Sequence, residues 1–263
     1  MTTNNDALPP SSKRAKPLST SEQLLEIEDR FCEELRKIDF GTSVSYVYNP
    51  LEYASEPHGD FVRKYGNGKK KILFLGMNPG PFGMAQNGVP FGDPKVVKEW
   101  LKVSGTVGKP AKEHPKRPII GLQLAKSEVS GSRFWGFFQT LCGGDPDVFF
   151  ANCFVSNYCP VCFMTQSGKN ITPPTFKVDV RGRLEGVCDS FLVETVRTLG
   201  VEWVIGVGQY AESRARVALN GDGVKVGVVM HPSPINPAAN KEWPKVVTSQ
   251  LTELGVLETI RGH

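Results

Sequence analysis

Four continuous apolar runs, separated by segments with helical periodicity, constrain the fold of this 263-residue chain most strongly. The runs cover residues 71–76, 148–155, 201–207 and 224–230. Strands that are apolar at consecutive positions are typical of sheets covered on both faces, and such sheets are mostly parallel. Because these strands alternate with helices, the pattern predicts an α/β fold, a three-layer α/β/α sandwich with a central, mostly parallel four-stranded sheet.

The helices of the outer layers are predicted from apolar residues at helical spacing. The first begins after Ser19, which has capping-box spacing with Glu22, and carries an apolar stripe from Leu24 to Ile38. Residues 104–118 are rich in Gly, Lys and Pro and predict a long exposed loop. Further helices are expected at residues 93–103, 131–141, 183–199, 209–220 and 243–254.

The polar N-terminus is predicted to lie outside the folded domain. Residues 1–18 contain three prolines and the basic cluster Lys13-Arg14-Ala15-Lys16, a composition typical of a disordered tail. We therefore expect a tail at 1–18 and a single domain at 19–263. The cluster fits a nuclear localisation signal or an arm that touches DNA, and a simply solvated run is the alternative; we expect a nuclear protein.

Composition excludes several classes of protein. The net charge of +4 is too mild to identify a nucleic-acid-binding protein, although it allows a local basic face. No stretch approaches the roughly 18 apolar residues of a membrane span, and the polar start lacks the apolar region of a signal peptide. We expect an intracellular protein with no membrane partner.

Four cysteines, at positions 142, 153, 159 and 162, lie close together in the sequence. A zinc or iron–sulfur site is one interpretation, but the spacing between Cys142 and Cys153 matches no usual paired-ligand pattern. The alternative is a set of reduced, mostly buried thiols. We expect the thiols, with no metal site and no cofactor.

Two proline-rich segments, residues 76–83 and 231–240, each follow directly on a predicted strand. Asn78, Asn157 and His231 come after three different strands, and the carboxyl ends of parallel strands meet at one edge, where open sheets bind ligands. These side chains are therefore predicted to converge on one site. The alternatives are an elaborate turn without a ligand, a structural histidine at 231 and an ordinary turn residue at 157.

The two segments also resemble a known family. GMNPGPFGMAQNGVPFGD (76–93) and HPSPINPAAN (231–240) are similar to the two signature motifs of the single-strand-selective monofunctional uracil-DNA glycosylases, within the uracil-DNA glycosylase superfamily. RFWGFF (133–138), NCFVSN (152–157) and GVG (206–208) add to the resemblance, which covers about residues 21–260. It implies a glycosylase-like α/β/α catalytic domain and a hydrolase that acts on N-glycosyl bonds in base excision repair. DNA, single- or double-stranded, would be its partner, and a monomer would suffice.

The resemblance implies catalytic roles for two residues. Cleavage of an N-glycosidic bond gives an oxocarbenium-like sugar and a departing uracil anion. Asn78 would hold the attacking water, and His231 would donate a hydrogen bond to uracil O2. Related strict uracil enzymes have Asp-Pro-Tyr where this chain has Asn78-Pro79-Gly80. The amide would activate water less strongly, and Gly80 in place of Tyr would admit oxidised uracils such as 5-hydroxymethyluracil.

Base recognition is implied for four residues of the same motifs. Phe91 would stack on the flipped base, and the Asn157 amide would pair with its O4 and N3–H edge, which distinguishes uracil from cytosine. Main-chain groups around Met77 and Gly80 would complete the site. Without the resemblance, ordinary core packing is the simpler interpretation of Phe91.

The second motif would wedge into the DNA stack when the target nucleotide leaves it. The family usually has Arg where this chain has Ile235, so an aliphatic wedge would lack the contact that a guanidinium makes. The residues predicted to wedge into or contact DNA are Ser233, Pro234, Ile235, Asn236, Pro237 and Lys241.

Two other functions remain open at this point. One is a mismatch-type thymine/uracil glycosylase, against which the His-Pro-Ser-Pro segment argues. The other is a catalytically weak protein that binds damaged DNA. Except for Lys241 at the margin, the motifs contain no lysine, so a Schiff-base nucleophile is not expected and simple hydrolysis is favoured.

Overall fold

A computed structural model describes residues 17–262, whose centre is a parallel sheet. The predicted basic cluster, and all but the last two residues of the predicted tail, lie outside the described residues. The strands are β1 (Tyr46–Tyr48), β2 (Ile72–Gly76), β3 (Cys153–Asn157), β4 (Cys162–Met164), β5 (Asn170–Ile171), β6 (Trp203–Val207) and β7 (Lys225–Val229).

The helices surround this sheet and are mostly those expected from the sequence. They are α1 (Thr20–Leu35), α2 (Pro50–Tyr53), α3 (Ser55–Tyr65), α4 (Met84–Asn87), α5 (Pro94–Glu99), α6 (Val129–Leu141), α7 (Pro146–Asn152), α8 (Val178–Leu199), α9 (Gln209–Ala218), α10 (Pro237–Glu253) and α11 (Leu257–Arg261). The cap predicted at Ser19 is present, since its side chain accepts a hydrogen bond from the Glu22 N–H at 3.2 Å.

The central sheet has the strand order β3-β2-β6-β7, and all its strand pairs are parallel. The connection from β2 to β3 crosses the sheet in one direction, and the connections from β3 to β6 and from β6 to β7 cross it in the other. With right-handed crossovers, this reversal places α6 and α7 on one face and α8 and α9 on the other. Phe74 of β2 accordingly packs against Phe134, Phe138 and Phe149 of α6 and α7. The predicted α/β/α sandwich is confirmed.

The strand predicted at 148–155 is wrong in its first half. Residues up to Asn152 belong to α7, and β3 begins only at Cys153. Asp145 caps this helix by accepting the Asp147 N–H at 2.9 Å, and Pro146 occupies its first position. A short apolar run does not distinguish a buried helix from a buried strand, and the capping residues decide it here.

The segment predicted as a loop at 231–240 is also partly helical. α10 begins at Pro237 rather than at residue 243, because Asn236 caps it by accepting the Ala238 N–H at 3.1 Å. The earlier start is followed by a kink at Glu242, whose φ and ψ are not helical. The non-helical part of the second motif is therefore only residues 231–236.

The remaining differences concern short elements that the apolar pattern does not reveal. β1, β4 and β5 form a small antiparallel sheet, and α2 and α3 precede β2. Residues 104–118 contain no helix or strand, as predicted, but the loop is anchored. His114 is 3% exposed, and its N–H donates to the Tyr48 hydroxyl at 2.7 Å.

All six cysteines are buried and have free thiols. Burial raises the pKa of Cys142 to about 11 and that of Cys162 to about 12, so these thiols stay protonated near neutral pH. Within residues 17–262, no helix has the length and apolarity that a membrane span requires.

Candidate active site

The two proline-rich segments line one cleft at the carboxyl ends of the parallel strands, with a volume of about 530 Å³. Asn157, the last residue of β3, lies between them because its backbone is in register with Gly76 at the end of β2. The predicted site residues that line this cleft are Met77, Asn78, Gly80, Phe91, Asn157, His231, Ser233, Pro234 and Ile235.

Three predicted DNA-contacting residues lie outside the cleft. Asn236 and Pro237 begin α10, and Lys241 is exposed one turn further along it. Their contact with DNA stays a prediction. The part of the segment that borders the cleft ends at Ile235.

Buried amides hold the first motif in shape. Gln86, which is 1% exposed, donates to the carbonyls of Pro81 and Pro118, at 3.0 and 3.1 Å, and accepts the Ile120 and Gly121 N–H groups. Asn87 is fully buried; its Nδ2 donates to the Gly92 carbonyl at 2.7 Å and its Oδ1 accepts the Val89 N–H at 3.0 Å. The loop is therefore a rigid wall of the cleft.

Phe91 occupies a strained backbone conformation in this wall. Its φ is 53°, in the left-handed region that bulky residues rarely adopt, at a cost on the order of 1–3 kcal/mol. One face of its ring stacks on Phe134, with centroids 4.3 Å apart and an angle of 11° between the rings. Trp135 Nε1 donates to the adjacent Pro90 carbonyl at 3.1 Å. Phe91 is thus held at the cleft, with one face supported.

The Asn157 side chain is 4% exposed and fills the end of the cleft. Its Nδ2 donates to the Met84 sulfur at 3.1 Å. A thioether is a weak acceptor, so most of the amide's hydrogen-bonding capacity stays available to a ligand. A side chain at position 76 would meet Asn157 Oδ1 at 2.2 Å, which explains why Gly76 lies opposite it.

A polar network behind the cleft anchors the residue that follows Asn157. The Tyr158 hydroxyl donates to Asp189 Oδ1 at 2.7 Å and accepts the Arg214 Nε–H at 3.1 Å. On the backbone, the Tyr158 N–H donates to the Gly76 carbonyl at 2.8 Å. These bonds fix the end of β3 against β2, and with it the orientation of Asn157.

Asn78 and Gly80 lie at the open side of the first motif. The Asn78 side chain makes one weak contact, from Nδ2 to the Pro79 carbonyl at 3.4 Å, so its amide is free to hold water. A Cβ placed on Gly80 would meet no atom within 4 Å. The space beside Gly80 is therefore open, as the sequence comparison with Asp-Pro-Tyr enzymes implied.

The protonation of His231 follows from its single hydrogen bond. The Ser233 N–H donates to Nδ1 of His231 at 3.1 Å. A nitrogen that accepts carries no proton, so the neutral ring has its proton on Nε2. Burial lowers the pKa of His231, which keeps the ring neutral near pH 7. His231 consequently presents an N–H donor without a full positive charge.

The tip of the second motif projects from the protein surface. Ile235 is 89% exposed, the largest exposed fraction among the large hydrophobic residues of the described chain. Arg133 of α6 fastens the segment behind this tip, donating to the Pro232 carbonyl at 3.1 Å and to Asn240 Oδ1 at 2.8 Å. Asn240 Nδ2 donates in turn to the Pro234 carbonyl at 2.8 Å.

Several cleft residues were not expected from the sequence. Glu128 caps α6 by accepting the Ser130 and Gly131 N–H groups, and burial raises its pKa despite these bonds. No local pattern singles it out, although it precedes the RFWGFF segment. The other lining residues that were not predicted as site residues are Pro79, Pro81, Phe82, Gly83, Met84, Ser130, Asn170 and Thr172.

The cleft can therefore bind a planar, uncharged heterocycle at its carbonyl and N–H edge. It offers an aromatic surface, a buried amide, a neutral imidazole N–H and a second amide near the opening. No cluster of three or more His, Cys, Asp or Glu side chains able to hold a metal ion occurs in the part of the chain that the structure describes.

Comparisons with known proteins identify the family of this chain. Residues 63–253 match the Uracil DNA glycosylase superfamily. The single-strand selective monofunctional uracil DNA glycosylase of Bos taurus is 53% identical over 243 residues, which cover 92% of this chain and 89% of that protein. The Rattus norvegicus protein of the same name is 50% identical over 252 residues, covering 94% and 90%.

A solved structure shares the fold. The crystal structure of wild-type SMUG2 from Pedobacter heparinus superimposes with a TM-score of 0.61 at 17% identity, covering 92% of this chain and 100% of that one. The sequence matches go further than the fold, since they span nearly the whole chain at half identity or more. This chain belongs to the uracil DNA glycosylase superfamily and, within it, to the single-strand selective monofunctional uracil-DNA glycosylases.

Proposed function

We propose that this chain hydrolyses the N-glycosidic bond of uracil in DNA and leaves an abasic site. The observation that carries the proposal is that the His231 imidazole, whose Nδ1 accepts the Ser233 N–H, shares one cleft with the amides of Asn157 and Asn78. Such a site holds a uracil by its polar edge and stabilises the anion that leaves. The chain is accordingly a hydrolase acting on N-glycosyl bonds.

His231 acts on the leaving group. As the glycosidic bond breaks, negative charge develops on uracil O2, and the Nε2–H donates a hydrogen bond that strengthens with that charge. The Ser233 N–H holds Nδ1 as an acceptor and so keeps the proton on Nε2. The imidazole stabilises the anion electrostatically without acting as a nucleophile.

Asn78 holds the water that attacks the sugar. Its side chain lacks a strong protein partner, so its amide can accept a hydrogen bond from a water at the cleft opening. An amide is not a base, and the water adds to an oxocarbenium-like sugar that needs little activation of the nucleophile. Asn78 therefore contributes position rather than proton abstraction.

Asn157 and Phe91 select the base. Asn157 Oδ1 accepts the uracil N3–H while Nδ2 donates to O4, and cytosine presents the reverse order of donor and acceptor. Phe91, supported from behind by Phe134, offers a ring on which the base stacks, a contact of about 1–3 kcal/mol. Ile235 occupies the gap that the flipped nucleotide leaves in the stack.

Gly80 widens the range of substrates. The open space at this position accommodates a C5 substituent, so we propose that 5-hydroxymethyluracil is also excised. Gly80→Tyr fills this space. The variant should retain uracil release and lose release of 5-hydroxymethyluracil by about 100-fold or more, a loss of roughly 3 kcal/mol in transition-state binding. Equal loss on both bases would contradict this role of Gly80.

Release of free uracil from a labelled single-stranded oligonucleotide tests the proposed function. Asn78→Ala and His231→Ala should each lower the single-turnover rate by a factor of about 10²–10³, the effect of removing one hydrogen-bonding group from a preorganised site. Both variants should keep most of their DNA affinity, and Asn220→Ala, at an exposed position outside the cleft, serves as control. A wild-type chain that binds the oligonucleotide and releases no base would be a DNA-binding protein instead.

A further inference from the structure

Phe82 of the first motif carries two cations on its ring at the edge of the cleft. The Lys126 ammonium lies 3.6 Å from the ring centroid and the Arg117 guanidinium 5.3 Å from it. Phe82 also lines the cleft that holds Asn78 and His231. An aromatic ring attracts cations to its face, which explains how one side chain positions both.

Neither cation forms an ion pair within residues 17–262. Arg117 NH1 donates only to the adjacent Lys116 carbonyl at 3.0 Å, and its Nε is buried with no hydrogen-bond partner. The nearby Glu113 carboxylate already accepts from Lys109 and from the Ile119 N–H. Two cations on one aromatic ring, neither with a carboxylate partner among the described residues, favour the binding of an anion between their exposed donors.

The surrounding hydrogen bonds hold this arrangement in place. Gln86 links the Pro81 carbonyl, beside Phe82, to the Pro118 carbonyl, beside Arg117. The Tyr48 hydroxyl donates to the Arg117 carbonyl at 2.9 Å, and it accepts the His114 N–H. The segment that carries Arg117 is thus fixed to the wall of the cleft, which preorganises this cation relative to the site of the base.

We propose that Arg117 and Lys126, on the Phe82 ring, bind a backbone phosphate of the DNA strand next to the flipped nucleotide. The proposal rests on the proposed function, because it takes the strand to pass the cleft opening. A guanidinium recognises phosphate with directed donors, whereas an ammonium acts as a point charge. This phosphate contact would hold the strand on the side of the first motif, whereas Ile235 belongs to the second motif.

Salt dependence of binding tests the site. The Arg117→Gln/Lys126→Gln protein is compared with wild type on a single-stranded oligonucleotide that contains a non-cleavable 2′-fluoro analogue of deoxyuridine. If both cations share one phosphate, the slope of log K against log[salt] should fall by about 0.7, and affinity near 0.1 M salt by about fivefold. Arg181→Gln/Arg183→Gln removes the same charge from α8, outside the cleft lining, and should leave the slope unchanged.

A methylphosphonate scan then locates the contact. An uncharged methylphosphonate replaces one phosphate at a time on each side of the analogue. At one position it should weaken wild type by about fivefold and leave the double variant unaffected, because the contact is already absent. If every position weakens the two proteins equally, the proposed phosphate site is wrong. Lys126→Gln alone, at an exposed side chain, repeats the test should the double variant fail to fold.

Wild-type uracil release separates the two proposals. If wild type releases uracil and the double variant keeps the wild-type salt slope, only the phosphate site is refuted. If wild type releases no base, the proposed function fails whatever the slope. Stabilisation of wild type by inorganic phosphate, lost in the double variant without any change in DNA affinity, would indicate a free-anion site and would also overturn the proposal.

Discussion

The two loops that build the candidate site are held in place in different ways. The first, residues 76–93, is fastened from within by Gln86 and Asn87, which are almost completely buried. The second, residues 231–236, projects the exposed Ile235 and depends on Arg133 from a neighbouring helix. Paired buried polar groups keep a loop rigid, whereas a loop with few buried contacts opens easily. The first loop is therefore suited to recognise the base, and the second to meet DNA.

The first loop contacts one histidine, His58, and the second contains another, His231; the pKa values of the two are shifted in opposite directions. His58 bonds the Gly88 carbonyl through Nδ1 and Glu28 through Nε2, both at 2.7 Å. Burial lowers its pKa, but Glu28 and the carbonyl outweigh burial and raise it. Both neighbours are acceptors, so only the charged ring satisfies both. His231 has one partner and a lowered pKa, because burial is not offset by an acidic neighbour.

The largest expected effect comes from removing the internal fastening of the first loop. Asn87→Ala leaves the Gly92 carbonyl and the Val89 N–H without partners at a fully buried position, so the free energy of unfolding should fall by about 2–4 kcal/mol. Asn236→Ala removes only a helix cap from the second loop and should cost about 1 kcal/mol. Urea unfolding of both variants measures the contrast, and equal losses would contradict it.

The next effect concerns the bond that fastens the second loop. Arg133→Gln should lower kcat/KM for uracil release by about tenfold, equivalent to about 1.4 kcal/mol, because His231 loses its fixed position. Arg133→Lys should restore part of the activity, since an ammonium reaches one of the two acceptors. Arg197→Gln, which breaks an exposed ion pair with Asp222, is the control and should be active. A thermal unfolding shift without any change in kcat/KM would argue against a positioning role.

A smaller effect should distinguish the two histidines by pH. The folded pKa of His58 is raised, so its stabilisation is fully present below the unfolded pKa of about 6.5 and is lost as pH rises through the folded pKa. His58→Gln should therefore destabilise the protein more at low pH than at high pH, which urea unfolding across this range measures. A destabilisation that grows with pH would contradict the assigned charge.

Uracil release should show the complementary behaviour. His231 stays neutral down to a pH below the ordinary histidine pKa because burial lowers its own pKa. The single-turnover rate should accordingly stay level through about pH 6.5 and fall only at lower pH. If the rate already begins to fall above pH 6.5, burial does not lower the pKa of His231 as proposed.

The smallest effect tests the exposed tip of the second loop. Ile235→Arg should tighten binding to duplex DNA a few-fold and raise the slope of its salt dependence by about 0.9, as expected for one added phosphate contact. Val217→Arg, at another exposed apolar residue on α9, adds the same charge away from the cleft. Unchanged binding across salt concentrations in Ile235→Arg would count against the wedge.

The fold was predictable wherever the signal is long and periodic. The four parallel strands follow from continuous apolar runs, which are typical of strands covered on both faces. The helices α1, α6, α8 and α9 follow from apolar residues at helical spacing. The strand predicted at 148–155 failed because Phe149 and Phe150 are equally suited to a buried helix. β1, β4 and β5 have only two or three residues each, too few for any period to be visible.

Sequence alone determined the family, the parallel sheet and the convergence of Asn78, Asn157 and His231, because the carboxyl ends of parallel strands meet at one edge of the sheet. The tertiary structure decided which atoms are free to act. The tautomer of His231 depends on the turn that brings the Ser233 N–H to its ring. The hydrogen bond from Arg133 to the second loop and the two cations on Phe82 join residues far apart in the chain. Such contacts depend on side-chain geometry after packing, which no local pattern of residues encodes.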